Sequence, residues 1–203
     1  MFYETVKRDH GLPHDPFKAI VAPRPIGWIS TLSARGEPNL APYSFFNAIS
    51  SSPDMVCFSS QNGTKDSISN IRETGEFVCN FAGEKQLDAM NASSASAPHG
   101  VNEYEIAGLE PLPCNLVSPS RVGGAPAALE CRMTRIVDLS ADGGPEGAYH
   151  LVIGEVIGIH IDEQYLTDGI FDLQKALPVT RLGYRDYSRL GEMFVLDRPS
   201  WKG

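Results

Sequence analysis

The sequence predicts a mostly β protein, an antiparallel β-barrel with peripheral helices, and two stretches carry the prediction. In the first, Leu129, Cys131, Met133 and Val137 alternate with Glu130, Arg132 and Thr134, the half-buried pattern of an antiparallel strand. Asp142-Gly143-Gly144-Pro145-Glu146-Gly147 turns the chain, and the return strand sets Tyr149, Leu151, Ile153, Ile157, Ile159 and Ile161 against His150, Val152, Gly154, Val156, Gly158 and His160. Gly154 and Gly158 leave the second face nearly bare, which marks a bulge, a bend or a close neighbour, and bends of this kind close antiparallel sheets into barrels. In the second stretch, Ala22 to Ser67, three shorter strands lead into a helix start.

Taken in order, Asp15-Pro16-Phe17-Lys18-Ala19-Ile20 opens a short helix, with Asp15 as N-cap and Pro16 at the first helical position. The strand through Ile26-Gly27-Trp28-Ile29-Ser30-Thr31 turns at Ser33-Ala34-Arg35-Gly36-Glu37, where glycine supplies a positive φ, and pairs with the strand through Asn39-Leu40-Ala41-Pro42-Tyr43. Pro42 has no N–H to give a ladder, so it belongs at an edge or bulge and leaves backbone groups open to a ligand. Met55-Val56-Cys57-Phe58 is the third strand. Thr64 is placed to cap a helix with Lys65 and Ser67 in its first turn, Ile68 and Ile71 on one face and Gly75 as the stop. A lysine in that turn opposes the helix dipole, and an anionic ligand removes the conflict. Glu76 to Phe81 reads as a strand, Lys85 to Ala92 as a helix and Ala92 to Gly100 as a loop of small residues. No internal repeat or composition break divides residues 1–203, which suit one domain.

Hydrophobic residues make up 42% and charged residues 21% of the 203, which fits a folded globular chain and not a disordered one. The net charge of −8, with no run rich in lysine and arginine, argues against nucleic acid as a partner. Residues 1–10 hold no apolar core of signal-peptide length and no later run suits a membrane helix, so the expectation is a cytoplasmic protein without a membrane partner. Cysteines 57, 79, 114 and 131 are too widely spaced for a Cys-x-x-Cys motif. Gly11 and Pro13 argue against His10 and His14 sharing one helical face, so no metal site is expected.

Hydroxyls and one cation (Ser30, Thr31, Ser44, Ser59, Ser60, Lys65 and Ser67) gather at strand ends and at the helix start, interleaved with Trp28, Tyr43, Phe45 and Phe46. Aromatic faces stack on rings, and a helix N-terminus offers free N–H groups to an anion. A ligand with a flat ring and a phosphate suits the mixture, and FMN is such a ligand.

The runs "RPIGWIST", "NLAPYSFFNAIS" and "KDSISNI", followed by "YEIAGLEPLP", "ALECRM", "HLVIGEVIGIHI" and "PVTRLGYRDY", closely resemble the flavin reductase-like family of FMN-binding split barrels over roughly Asp15 to Pro199. The resemblance implies a split barrel of antiparallel Greek-key type, a homodimer, and hydride transfer from NADH or NADPH to FMN. Electrons would then pass to a monooxygenase or another redox partner protein. An FMN electron carrier resembling flavoredoxins and a non-catalytic flavin-binding protein are the alternatives. The implied cofactor contacts add Ala41, Pro42, Asp66 and Arg181 to the residues above, and the resemblance brings His150 towards flavin or nicotinamide as the one catalytic candidate. Ser51-Ser52-Pro53-Asp54 departs from the family's usual acidic residue and paired prolines at this turn.

Overall fold

Seven strands of alternating pattern meet in one antiparallel sheet: β1 (Gly27–Leu32), β2 (Pro38–Tyr43), β3 (Phe46–Ser51), β4 (Asp54–Gln61), β5 (Glu76–Phe81), β6 (Ala127–Leu139) and β7 (Tyr149–Ile161), in the order β2-β1-β5-β6-β7-β4-β3. These elements come from a computed structural model that describes residues 1–61, 65–139 and 149–201. The proposed cap Thr64 and the turn at 142–147 lie outside the described residues.

The two ends of this order, β2 and β3, are neighbours in sequence, and the sheet curls until they approach. The Tyr43 ring of β2 lies 4.8 Å from that of Phe58 on β4, and the Phe46 ring of β3 fills the space where a side chain on Gly27 of β1 would stand. The result is a barrel split between β2 and β3. Its interior is closed by Ile29, Tyr43, Val56, Phe58, Phe77, Cys131 and Val152, together with Ile68 and Ile71 of the helix Asp66–Thr74. That helix buries the face its sequence predicts and stops at Gly75, whose φ of +74° suits a residue without a Cβ.

A second apolar cluster forms on the outer side of β1, where Trp28 and Leu40 pack with Met90, Tyr104, Val122 and Val179. The Trp28 indole N–H donates to Ser93 Oγ at 2.9 Å, tying the loop after the helix Leu87–Ala92 to the sheet. A small sheet of Arg24–Pro25, Val179–Arg181 and Tyr187–Arg189 brings the C-terminal part of the chain back beside the start of β1.

Pro16, not Asp15, is the N-cap of the helix Phe17–Ile20, although the Asp15 carboxylate still accepts from the Phe17 N–H at 2.9 Å. Lys65 is itself the N-cap of the next helix, one residue before its first turn. The predicted helix 85–92 is a 3-10 turn over Glu84–Gln86 followed by Leu87–Ala92. Glu130, assigned to the polar face of its strand, is 1% exposed, because the loop at 115–117 folds over it.

Candidate functional site

The edge position of β2, which Pro42 predicts, produces the site. Its inner partner β1 takes one side of the ladder, and the other side faces a groove. One cavity of about 320 Å³ is lined by Asn39, Ala41, Pro42, Tyr43, the helix start Lys65, Asp66 and Ser67, and the Ser93–Ala97 loop. Pro42 and Ser94 are shared with a second cavity of about 400 Å³, which continues past Ser44 and Phe45 to Lys18, Arg24, Arg181, Tyr184 and Tyr187. Phe45, Lys18 and Tyr184 in turn border a third of about 750 Å³ that reaches Ser59, Gln61 and Tyr149. The three form one groove along the chain from Ala41 to Phe45.

The end near the helix is mixed in charge. Lys65 and His99 stand with Asp66 and Glu103, and His99 Nδ1 lies 2.5 Å from Asp66 Oδ1. Burial raises the pKa of the Glu103 carboxyl, against the pull of the Leu40 N–H that donates to it at 3.0 Å. Burial likewise raises that of the Tyr43 hydroxyl, which donates to Ser67 Oγ at 2.9 Å. Ser67 also accepts from Asn39 Nδ2 at 2.9 Å. It therefore fixes the groove wall and reaches the groove from within a network.

The middle of the groove is cationic. Lys18, Arg24 and Arg181 line it without a carboxylate among the lining residues. Burial, and then the charge of Arg181, lower the Arg24 pKa, the signature of two guanidinium groups sharing a confined space. Arg24 donates to the backbone carbonyls of Lys18, Val21 and Leu182, while its Nε is buried with no hydrogen-bond partner among the described residues. Lys18 and Arg24 both approach the Phe45 ring, at 5.9 and 5.8 Å from its centre, and Arg181 stacks 4.4 Å from the Tyr187 ring.

Of the residues singled out from the sequence, Ala41, Pro42, Tyr43, Ser44, Phe45, Ser59, Lys65, Asp66, Ser67 and Arg181 line this groove. The others do not. Ser30 faces the outer side, where its hydroxyl donates to the Ser120 carbonyl at 2.6 Å, and Thr31 faces inward, accepting from Asn39 and Asn70. Phe46 borders a separate apolar cavity of about 230 Å³ with Ile26, Phe81 and Leu129. Ser60 is buried beside His150, its partner across the strand pair.

His150 likewise lies away from the groove lining. It is 4% exposed and stands behind the groove wall, with Nδ1 2.6 Å from Asp138 Oδ1 and 3.1 Å from Arg72 Nη2. The stretch of β7 face that it shares with Val152 and Gly154 is the barrel interior, so it does not border the groove, whereas beyond the second register shift Gly158 turns to Leu116 and Glu130 outside it.

Sequence reading missed Lys18, Arg24, Asn39, His99, Tyr184, Tyr187 and the Ser93–Ala97 roof. Composition marked the roof as a loop of small residues, while the other wall, after Leu177, was marked only by the run PVTRLGYRDY of the family resemblance, which does not say what it faces.

The flavin reductase like domain matches residues 21–180. An uncharacterized protein of Halalkalibacterium halodurans is 35% identical over 89% of this chain and 88% of its own length. Among solved structures, nitrilotriacetate monooxygenase component B from Bacillus cereus superposes with a TM-score of 0.87 at 29% identity, covering 97% of this chain and 98% of that one. The Pseudomonas fluorescens 2-nitrobenzoate 2-nitroreductase superposes at 0.86 and 24% identity, covering 100% and 98%, a likeness of fold. With the split barrel, the edge-strand groove and a domain match over most of its length, this chain belongs to the flavin reductase-like family of FMN-binding split barrels.

Proposed function

We propose that the groove holds FMN and that the protein passes electrons from NADH or NADPH to it. The observation that carries this reading is the junction, in one groove, of an edge-strand backbone, a helix start bearing Lys65, and a cationic centre of Lys18, Arg24 and Arg181. The donor set fits the cofactor: the Arg24 Nε, without a partner among the described residues, and the first N–H groups of the helix, which have no intrahelical partner, are groups an anionic ligand satisfies. When bound, FMN supplies a ring that accepts hydride and releases electrons.

This chain's own residues bind and orient. Lys65 and the N–H groups of Asp66 and Ser67 take the phosphate, with His99 drawing the Asp66 carboxylate aside. The backbone from Ala41 to Phe45 would hold the ring, and Tyr43, fixed by Ser67, keeps that edge in place. Lys18, Arg24 and Arg181 face the negative charge that arrives with reducing equivalents, a preorganised arrangement that needs no rearrangement during the reaction. The Ser93–Ala97 loop, anchored through Trp28, covers the groove and limits water. No side chain in the groove is required to act as a proton donor. On its likeness to component B of a monooxygenase, the downstream acceptor is a monooxygenase partner.

Anaerobic addition of NADH or NADPH to the FMN-loaded protein is the test. Bleaching of flavin absorbance by at least one nicotinamide is expected. Reduction by dithionite alone would replace this reading with that of a flavoredoxin-like electron carrier.

A further inference from the structure

Glu130 has no part in the groove, yet at 1% exposure it is the most completely enclosed carboxylate among the described residues. Its Oε1 accepts from the Asn115 N–H at 2.9 Å, and its Oε2 accepts from those of Leu116 and Val117 at 2.6 and 3.1 Å. His160, two residues on from Gly158 across the β6–β7 pair, brings Nε2 to 2.5 Å from Oε1. Cys114, on the loop that covers Glu130, completes a group whose sulfur, carboxylate oxygen and ring nitrogen all lie within 4.8 Å of one another.

We propose that Cys114, Glu130 and His160 form a binding site for zinc or a divalent ion of similar softness. One thiolate, one imidazole and one carboxylate are a donor set that favours such an ion over magnesium or calcium, which prefer oxygen alone. Around tetrahedral zinc the three donor atoms would stand about 3.3–3.6 Å apart, given metal–ligand bonds of about 2.0–2.3 Å. The His160–Glu130 contact therefore opens by about 1 Å and the widest pair closes by about as much. Cys114 lies outside the flanking strands Pro111–Leu112 and Arg121–Val122, so rotation about its side chain supplies much of this movement.

The surroundings suit a metal in two further ways. The three backbone N–H groups hold the Glu130 carboxylate in one orientation, the outer-shell support that ligating carboxylates receive. His160 also borders a cavity of about 280 Å³ shared with Arg121 and Asp162, which gives water a route to a fourth position. Binding is redox-neutral: the Cys114 S–H proton goes to solvent, the Nε2 proton leaves or moves to Nδ1, and metal–ligand bonds replace the His160–Glu130 hydrogen bond. The ion would pin the 113–118 loop to β6 and β7. No short motif signals the site, because its ligands are spread over three elements.

Cobalt(II) titration of the full chain, stripped with chelator and kept reduced with a phosphine, tests the site through absorbance. One equivalent per chain should produce a thiolate-to-cobalt charge-transfer band and tetrahedral ligand-field bands in the red, beyond flavin absorption, and zinc should bleach both. Cys114→Ser should abolish the charge-transfer band, and His160→Gln should weaken binding by more than about a hundredfold, beyond what loss of an outer-shell partner costs. Cys57→Ser should bind as the parent does. Zinc should raise the thermal midpoint of the parent and of Cys57→Ser but not that of Cys114→Ser. Absence of a thiolate band in the parent, or its survival in Cys114→Ser, overturns the proposal. So does a zinc-induced rise in midpoint that Cys114→Ser shares.

Discussion

Lys65 sits where the first N–H groups of the helix have no intrahelical partner and where its own charge opposes the dipole, so the fold gains little from it and an anion gains much. A charge-assisted hydrogen bond contributes about 1.5–3 kcal/mol. Lys65→Ala should therefore weaken FMN binding about tenfold to a hundredfold, while riboflavin, which lacks the phosphate, loses little. Fluorescence quenching with both ligands separates the phosphate contact from general damage, since damage would weaken both alike. Equal losses for the two would remove Lys65 as the phosphate ligand. At this scale the sequence showed which residue types cluster but not which way they point. Ser44 and Ser59 line the groove. Ser30 and Thr31, adjacent in β1, necessarily face opposite sides of the sheet, and each hydroxyl is taken up by a partner distant in sequence, the Ser120 carbonyl or Asn39 and Asn70. Arg24 became a groove residue only because the chain returns at Val179–Arg181 to lie beside it.

The strand pair β6–β7 shows how far element-level reading reaches. Its two glycines predicted bends or close approach, and the register shifts at Ile153/Gly154 and again at Val156/Gly158. The two positions differ in what surrounds them. A Cβ at Gly154 would stand 2.4 Å from Cζ of the fully buried Phe77 ring and 3.2 Å from the Arg132 carbonyl, whereas at Gly158 it would meet only the Leu116 side-chain end at 3.3 Å and Glu130 atoms at 3.5 Å. Gly154→Ala should therefore destabilise the protein by about 1–3 kcal/mol, as overpacking of a closed core does, and Gly158→Ala by clearly less. Urea unfolding midpoints of the two variants check the order, and equal effects would show that the Phe77 ring yields. Alternation alone could not reveal Phe77 as the neighbour, because that contact crosses the barrel interior. Nor could it show that Glu130, on the nominally polar face, would be roofed by a loop whose backbone N–H groups it satisfies.

At the scale of the whole molecule, a split barrel leaves the edges β2 and β3 unpaired on one side, and an unpaired edge is a site for further association unless something covers it. The chain also exposes apolar side chains that one copy leaves uncovered. Ile159 and Ile161 face outward at the end of β7, and Phe194, Val195, Leu196 and Trp201 follow the last strand with most of their surface in solvent. Isolated exposed apolar residues are ordinary, but a run of three large ones outside any helix or strand marks a contact surface. We propose that the surface is covered by a second copy, giving a homodimer in which one interface hides both the edges and the tail. Among the described residues no helix is long and apolar enough to cross a membrane, so a membrane-spanning helix does not account for that surface. Light scattering of the flavin-loaded protein at micromolar concentration should return twice the 22.1 kDa chain mass, and the unfolding midpoint should rise with protein concentration, as it does when association stabilises the native state. Substituting Phe194 and Leu196 with serine should shift the mass towards the monomer and remove that concentration dependence. A parent protein that remains monomeric while holding FMN would mean that the groove is complete in one copy and that the exposed tail serves another partner.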